Sequence, residues 1–278
     1  MEAQHLQSRP QILASTGPLL LSPLGWVLDA IADAGYTGAE LVLAHNPETR
    51  DPDKVAGYAR EAGLDVPAVH GPYMLLLRTV LGSKYETKTL RSLEVAAELG
   101  ARTLVAHAPF RWERSARRWL GTGAADARAA ELGIAFGMEN LFPVAGRTFS
   151  TVVTPAELAP FAHVVFDTSH FAVAGVDLFE AWDELGDRVV HLHVSDNFGA
   201  GKDSHAPLGT GILPLEEFLA HVGASGYRGT ITLELDCRPY LDTRESLVSF
   251  LARERVKAEN LLAGAGLPDV AAVAPADA

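Results

Sequence analysis

The chain has few of the features that mark secreted or membrane proteins. It contains one cysteine, Cys237, in 278 residues. An intramolecular disulfide is therefore excluded, and a reducing compartment is expected. No apolar run approaches the roughly 20 residues of a membrane span. The first residues, MEAQHLQSRPQ, lack the apolar core of a signal peptide. These absences favour a cytoplasmic location without a membrane partner.

Positive charge is also scarce. Lysine and arginine total 23 against 35 aspartates and glutamates, which gives a formal net charge of −12. Such a surface repels nucleic acid over most of its area, although the charge does not exclude a local basic cleft. Apolar residues make up 48% of the chain, which is enough for a large core. The length is close to that of one (β/α)₈ barrel.

Apolar runs alternate with amphipathic segments along the chain. The pattern predicts strands at 11–16, 38–43, 66–70, 102–107, 134–139, 163–167, 189–193 and 229–235. It predicts helices at about 24–35, 53–63, 84–100, 114–132, 154–160, 177–186, 214–224 and 243–262. This alternation indicates an α/β fold, a single-domain (β/α)₈ TIM barrel over residues 10–263. We expect a disordered N-terminus, 1–9, and a flexible tail, 264–278.

Acids and histidines stand at or just past the ends of six predicted strands. In chain order they are His70, His107, Glu139, Asp167, His193 and Glu234. In a TIM barrel the active site lies at the carboxyl ends of the strands, so these side chains are expected to form a ring around the mouth.

The residue types of this ring are those of a metal site. Glu139, Asp167, His193 and Glu234 come from four neighbouring strands, and carboxylates with imidazole are ligands for manganese or zinc. Without a cation, three carboxylates so close would repel one another. Further candidate ligands are His70, His107, His170, Asp203 and His205, enough for one to three ions in all. Asp203 could instead hydrogen-bond to a metal-binding histidine and orient it without contacting the ion.

Other side chains are candidates for substrate binding. Arg111 and Trp112 follow the fourth strand, where an arginine would suit a phosphate or carboxylate. Glu40, inside the second strand, could point into the barrel, and Asn140 directly follows Glu139. His191 shares the inward face of His193, and we expect it to be packed inside the barrel.

At these residues the chain resembles the xylose isomerase-like TIM-barrel superfamily, which contains sugar (phosphate) isomerases and epimerases and the endonuclease IV family. The resemblance spans roughly residues 11–262. It rests on HGPY (70–73), AHAPF (106–110), MEN (138–140), FDTSH (166–170), HLHVSD (191–196), KDSHAPLGTG (202–211) and LELD (233–236).

The resemblance implies two ligand sets. In epimerases of the superfamily, the equivalents of Glu139, Asp167, His193 and Glu234 bind one manganese-type ion, and the two glutamates move a proton. Endonuclease IV holds three zinc ions with those four and with matches to the other candidates, His70, His107, His170, Asp203 and His205. All nine positions carry the expected residue types.

Two functions follow from this resemblance. The first is a divalent-metal-dependent isomerase or epimerase acting on a small sugar, sugar phosphate or polyol, with Glu139 and Glu234 as proton-transfer groups. The alternative is an endonuclease IV-like multi-zinc phosphodiesterase, or a dehydratase on the same site. The complete ligand set favours the phosphodiesterase. The acidic charge and the short connection 108–133 favour the isomerase, so a carbohydrate partner is expected. The sequence does not decide whether the chain forms a homo-oligomer.

Overall fold

Eight parallel strands, paired in chain order, close into a barrel in the computed structural model, which describes residues 10–72 and 77–267. The strands are β1 Gln11–Ser15, β2 Gly38–Val42, β3 Asp65–His70, β4 Thr103–His107, β5 Ala135–Glu139, β6 His163–Asp167, β7 Val189–Val194 and β8 Thr230–Leu233. The barrel closes where β1 pairs with β8. The predicted (β/α)₈ barrel is confirmed. Residues 1–9 and 268–278, on which the terminal predictions mostly fall, lie outside the described residues.

Helices surround this barrel. They are α1 Leu24–Asp33, α2 Pro52–Ala62, α3 Tyr85–Glu98, α4 Arg114–Leu120, α5 Ala124–Leu132, α6 Pro155–Leu158, α7 Thr168–Ala174, α8 Leu178–Leu185, α9 Leu215–Ala224 and α10 Arg244–Leu262. Short 3₁₀ turns occur at Gly17–Leu19, Pro47–Arg50, Gly186–Arg188 and Arg238–Tyr240. Within the described ranges, no helix combines the length and apolar character needed to cross a membrane.

Two helix predictions were wrong. The single helix predicted at 114–132 is two helices, because the chain turns at Gly123, which has a left-handed φ of 73°. The other error is the missed helix α7, which starts directly after β6. The Asp167 carboxylate caps it by accepting a hydrogen bond of 2.7 Å from the backbone N–H of His170. This cap brings His170 back over the strand end.

The main core lies between the strands and the helices. Its largest fully buried side chains include Phe136 and Phe166 on the strands and Phe171, Phe218 and Phe250 on the helices. Burial of such side chains is the dominant contribution to folding, at about 25 cal/mol per Å² of apolar surface. The core supports the strand ends that carry the polar ring.

A polar layer fills the barrel interior below that ring. His191 is fully buried, with its Nδ1 2.6 Å from Thr230 Oγ1 and its Nε2 2.8 Å from Glu40 Oε2. Thr232 Oγ1 lies 3.0 Å from the same Nε2. The predicted interior position of His191 is confirmed. Because buried polar groups are costly unless they are hydrogen-bonded, this network is expected to hold its members in fixed orientations.

Candidate active site

Three carboxylates converge on one ring nitrogen of His193. Its Nδ1 lies 2.9 Å from Glu139 Oε1, 3.3 Å from Glu234 Oε2 and 3.7 Å from Asp167 Oδ2. The four side chains come from β5, β6 and β7 and from the residue after β8, and all four are buried. The structure thus brings together the four residues predicted to share one ion. One imidazole and three carboxylates form a donor set suited to zinc or manganese.

The Asp167 carboxylate shows that this set fits a cation. Its Oδ1 accepts the hydrogen bond that caps α7. Its Oδ2 is buried and has no hydrogen-bond partner among the residues that the structure describes. A buried carboxylate oxygen without a partner is costly, on the order of 1–3 kcal/mol or more. A divalent ion shared with His193 would remove that cost.

The opposite nitrogen of His193 faces Glu40. The distance from Nε2 to Glu40 Oε2 is 2.9 Å, and Glu40 is fully buried. The carboxylate of Glu40 lies below His193 and contacts imidazoles of the barrel interior, and its contact with a substrate stays a prediction. A carboxylate on the far nitrogen of a metal-binding histidine orients the ring and raises its basicity. With Nε2 directed to Glu40, Nδ1 is the nitrogen that faces Glu139, Asp167 and Glu234.

The facing acids and imidazoles of the ring shift one another's pKa values. Burial lowers the pKa of His193, but the carboxylates of Glu40 and Glu139 outweigh it and hold this pKa well above its usual range. Burial raises the pKa of Glu139, yet the facing imidazoles of His193 and His107 bring it well below its usual range. Glu139 is therefore ionised at neutral pH and can accept a proton or bind a cation.

Two more histidines of the predicted ring hold the second oxygen of Glu139. His107 Nε2 lies 2.8 Å from Glu139 Oε2, and His70 Nε2 lies 3.4 Å from it. The Nδ1 of His70 donates a hydrogen bond of 2.6 Å to the carbonyl of Gly71. This bond fixes the ring so that Nε2 points to the site. Both residues thus lie where they were predicted, next to a carboxylate of the ring.

A second polar cluster forms where the KDSH loop meets α7. Asp203 Oδ2 lies 2.8 Å from His205 Nε2 and 3.3 Å from His170 Nε2, while Ser169 Oγ donates to Asp203 Oδ1 over 2.7 Å. Burial lowers the pKa of His205, but Asp203 and Glu234 raise it to about 9. The loop predicted to join the site does so, and Asp203 links its two histidines.

The side-chain amide of Asn140 is hydrogen-bonded to the backbone of Asp167. Its Nδ2 donates a hydrogen bond of 3.0 Å to the carbonyl of Asp167, and its Oδ1 accepts one of 2.7 Å from the N–H of Asp167. The side chain is fully buried and lies between β5 and β6. Its contact with a substrate stays a prediction. Asn140 holds the backbone that carries the Asp167 carboxylate.

Arg111 and Trp112 lie outside the site. The guanidinium of Arg111 is 3.0 Å from Glu157 Oε1, in an ion pair at the surface. Trp112 is 59% exposed and stacks on Phe110, with the ring centroids 4.7 Å apart. Neither side chain lines the cavity above the ring. The loop turns both side chains outward, and their contacts with substrate stay predictions.

A cavity of about 720 Å³ lies over the polar ring. Its polar lining includes His107, Glu139, His170, Asp203, His205 and Glu234. Its apolar lining includes Leu20, Phe110, Leu141, Phe142, Val144, Phe149 and Phe198. The apolar set was missed from the sequence, although aromatics soon after strand ends, in AHAPF, ENLF and SDNF, were a usable signal.

Asp196, also missed, holds the loop that carries the second cluster. Its carboxylate accepts hydrogen bonds from the backbone N–H groups of Asn197, Gly211 and Leu213, at 2.8, 2.8 and 3.1 Å. Only glycine fits at position 211, because a Cβ there would lie 2.3 Å from the carbonyl of Asn197. The buried carboxylate of Asp196 therefore stabilises the loop that places Asp203 and His205 over the barrel.

Comparison with known proteins defines the family. The sequence model of the family described as xylose isomerase-like TIM barrel matches residues 28–255. This is more than half of the chain, so the protein belongs to this family. It is similar to an uncharacterised protein of Mycobacterium leprae, at 30% identity over 253 positions, covering 83% of this chain and 88% of that protein. A candidate hydroxypyruvate isomerase of Streptomyces coelicolor is 28% identical over 263 positions, covering 83% and 90%.

Solved structures share the fold. A D-tagatose 3-epimerase-like protein superposes with a TM-score of 0.70 and 19% identity, over 92% of this chain and 98% of that chain. An AP endonuclease, family 2, from Brucella melitensis gives a TM-score of 0.66 and 20% identity, over 83% and 94%. At these identities the likeness shows a common barrel, and both predicted activities occur among the names of its neighbours.

Proposed function

We propose that this protein is a divalent-metal-dependent isomerase or epimerase of a small sugar, sugar phosphate or polyol. The observation that carries the proposal is the convergence of Glu139, Asp167 and Glu234 within 3.7 Å of His193 Nδ1. When bound, a divalent ion of the manganese or zinc type supplies polarisation of the carbonyl or hydroxyl oxygen beside the reacting carbon. The similarity to a candidate hydroxypyruvate isomerase supports an isomerase.

Proton transfer is assigned to Glu139 and Glu234. Both line the cavity, and they reach it from β5 and from the residue that follows β8. Two carboxylates on different sides of a substrate can remove a proton from one face of a carbon and return a proton to the other face. The low pKa of Glu139 keeps it in the form that accepts a proton.

Hydrogen exchange tests this assignment. The metal-loaded protein is incubated in D₂O with a panel of ketoses, ketose phosphates and polyols, and deuterium at carbon is followed by NMR and mass spectrometry. We expect metal-dependent incorporation at a carbon next to the carbonyl. A product lighter by one water would indicate the dehydratase instead. Failure of every sugar to exchange, with metal bound, would contradict the proposed function.

Glu40→Gln is expected to weaken metal binding by about 10–100-fold, as loss of an outer carboxylate partner does. The glutamine keeps the shape but removes the charge that faces His193 Nε2 at 2.9 Å. Competition with a chromophoric chelator measures the affinity, and thermal unfolding checks the fold. Glu61→Gln, on an exposed face of α2, is the control. An unchanged affinity in Glu40→Gln would show that Glu40 does not support a metal ligand.

The second candidate function is an endonuclease IV-like phosphodiesterase. It is favoured by the cluster of Asp203, His170 and His205 beside the ring, which could hold further zinc ions. We expect little affinity for duplex DNA at physiological salt, because the net charge of −12 opposes binding. The test is a duplex with one abasic site. Submicromolar binding with metal-dependent nicking at that site would make the endonuclease the better assignment.

A further inference from the structure

The lining of the cavity over the ring is part polar and part apolar. We call its acids and histidines the floor, and Phe110, Phe142, Phe149 and Phe198 the wall. The two meet at Phe142, whose ring centroid lies 4.6 Å from that of His170. Phe198 is 57% exposed. Apolar groups that face an open cavity next to a polar reaction site usually mark the place where an apolar part of a ligand binds.

The size of the cavity exceeds the needs of a simple sugar. Its volume of about 720 Å³ lies within the roughly 300–1,000 Å³ that is typical of pockets for drug-sized ligands. A free triose or hexose is smaller than such ligands and presents hydroxyl groups on most sides. It would fill the polar floor and leave the phenylalanine wall in contact with water.

The cations that line the cavity do not suit a phosphate. Arg238 is held by Asp236 through two contacts of 2.7 Å. Lys202 is the one lining cation without an ion pair in the described part of the chain, and it is exposed. The histidines of the floor already face carboxylates. Tight phosphate recognition usually requires a bidentate arginine or several converging donors.

We infer that the substrate is a keto-sugar that carries an apolar, ring-containing substituent. The sugar lies on the floor, against Glu139 and Glu234, and the substituent packs against the wall formed by Phe110, Phe142, Phe149 and Phe198. This inference rests on the proposed function, since it takes the floor to be the site of proton transfer. It narrows the substrate class from any small sugar to sugars joined to an apolar ring.

Two matched pairs of ligands test the inference. They are methyl and phenyl 3-keto-β-D-glucoside, and D-fructose with 1-anilino-1-deoxy-D-fructose. For at least one pair, we expect the phenyl member to exchange deuterium with a kcat/KM at least about tenfold above its small partner, as a filled apolar pocket provides. Calorimetric binding to metal-loaded Glu234→Gln should show the same preference without turnover.

The outcomes separate the two proposals. Exchange with equal kcat/KM within each pair would overturn the inference and leave the proposed function standing. Preferred binding of phenyl members without exchange of any ligand by the wild type would contradict the proposed function and support the substrate class. Neither exchange nor binding would overturn both.

Substitutions in the wall test whether it is the source of the preference for phenyl ligands. In Phe149→Ala and Phe198→Ala, the ratio of phenyl to methyl kcat/KM is expected to fall about tenfold, because the ring loses its apolar contact. Phe149→Leu should recover part of the ratio. Ile212→Ala is the control, since Ile212 is an exposed apolar residue of the same loop as Phe198 but does not line the cavity. An unchanged ratio in both alanine variants would overturn the assignment of the wall.

Discussion

Glu234→Gln is expected to lower turnover by about 10²–10⁴-fold, the range that general acid–base groups contribute, while most of the metal stays bound. Glutamine keeps the shape and one oxygen ligand but cannot accept a proton at neutral pH. Deuterium exchange measures turnover, and elemental analysis measures metal per chain. Glu217→Gln, an exposed change at the start of α9, is the matched control. Activity near wild type in metal-loaded Glu234→Gln would remove Glu234 from proton transfer.

Glu139→Gln should behave differently, and the difference is informative. Glu139 lies within 3.4 Å of three imidazoles, those of His70, His107 and His193. Loss of its charge removes the partner that holds these rings, so metal affinity should fall together with turnover. If Glu139→Gln kept full metal affinity, the charge of Glu139 would not be needed to hold the three rings or the ion.

Asp167→Ala and Asp203→Ala form a second pair with opposite expectations. Asp167 is buried and Asp203 is partly exposed. Asp167 Oδ2 faces the His193 cluster, whereas Asp203 joins His170 and His205 beside it. In the isomerase, Asp167→Ala should lose metal and activity, by more than the 10–100-fold typical of an outer partner. Asp203→Ala should keep one ion per chain and raise KM, because its loop borders the cavity.

For this pair, the number of metal ions per chain is measured by elemental analysis of protein purified without added metal. His205→Ala should follow Asp203→Ala, and Thr210→Ala, in an exposed part of the same loop, is the control. A wild type with two or three zinc ions, and a lower count in both Asp203→Ala and His205→Ala, would favour the phosphodiesterase. Unchanged stoichiometry and kinetics in both would mean that the loop is only structural.

Much of the site could be predicted because a parallel barrel converts sequence order into spatial order. All strands run the same way, so residues at their carboxyl ends meet at one rim. Glu139, Asp167 and His193 each stand at or near the end of a strand, and the pairing of Asp167 with His193 places them at one level. Their proximity therefore followed from the strand boundaries.

The residues predicted to contact substrate were harder to place, because their contacts depend on depth and on loop direction. Glu40 pairs with Ala68, two positions below the Val42–His70 pair, so it lies one layer beneath the ring. Asn140 follows the end of β5, yet its amide is taken up by the backbone of Asp167. Arg111 is directed outward by Glu157, which is distant in sequence.

The sequence by itself determined the class of fold, the ring of acids and histidines and the limits that charge sets on partners, since periodicity and strand-end chemistry are local properties. Only the tertiary structure decided which nitrogen of His193 faces the acids and which residues wall the cavity. Those features arise where several separate loops meet. The phenylalanine wall, for example, joins Phe110, Phe142 and Phe198 from three different loops. Contacts of that kind are set by the closure of the whole barrel and by no single segment.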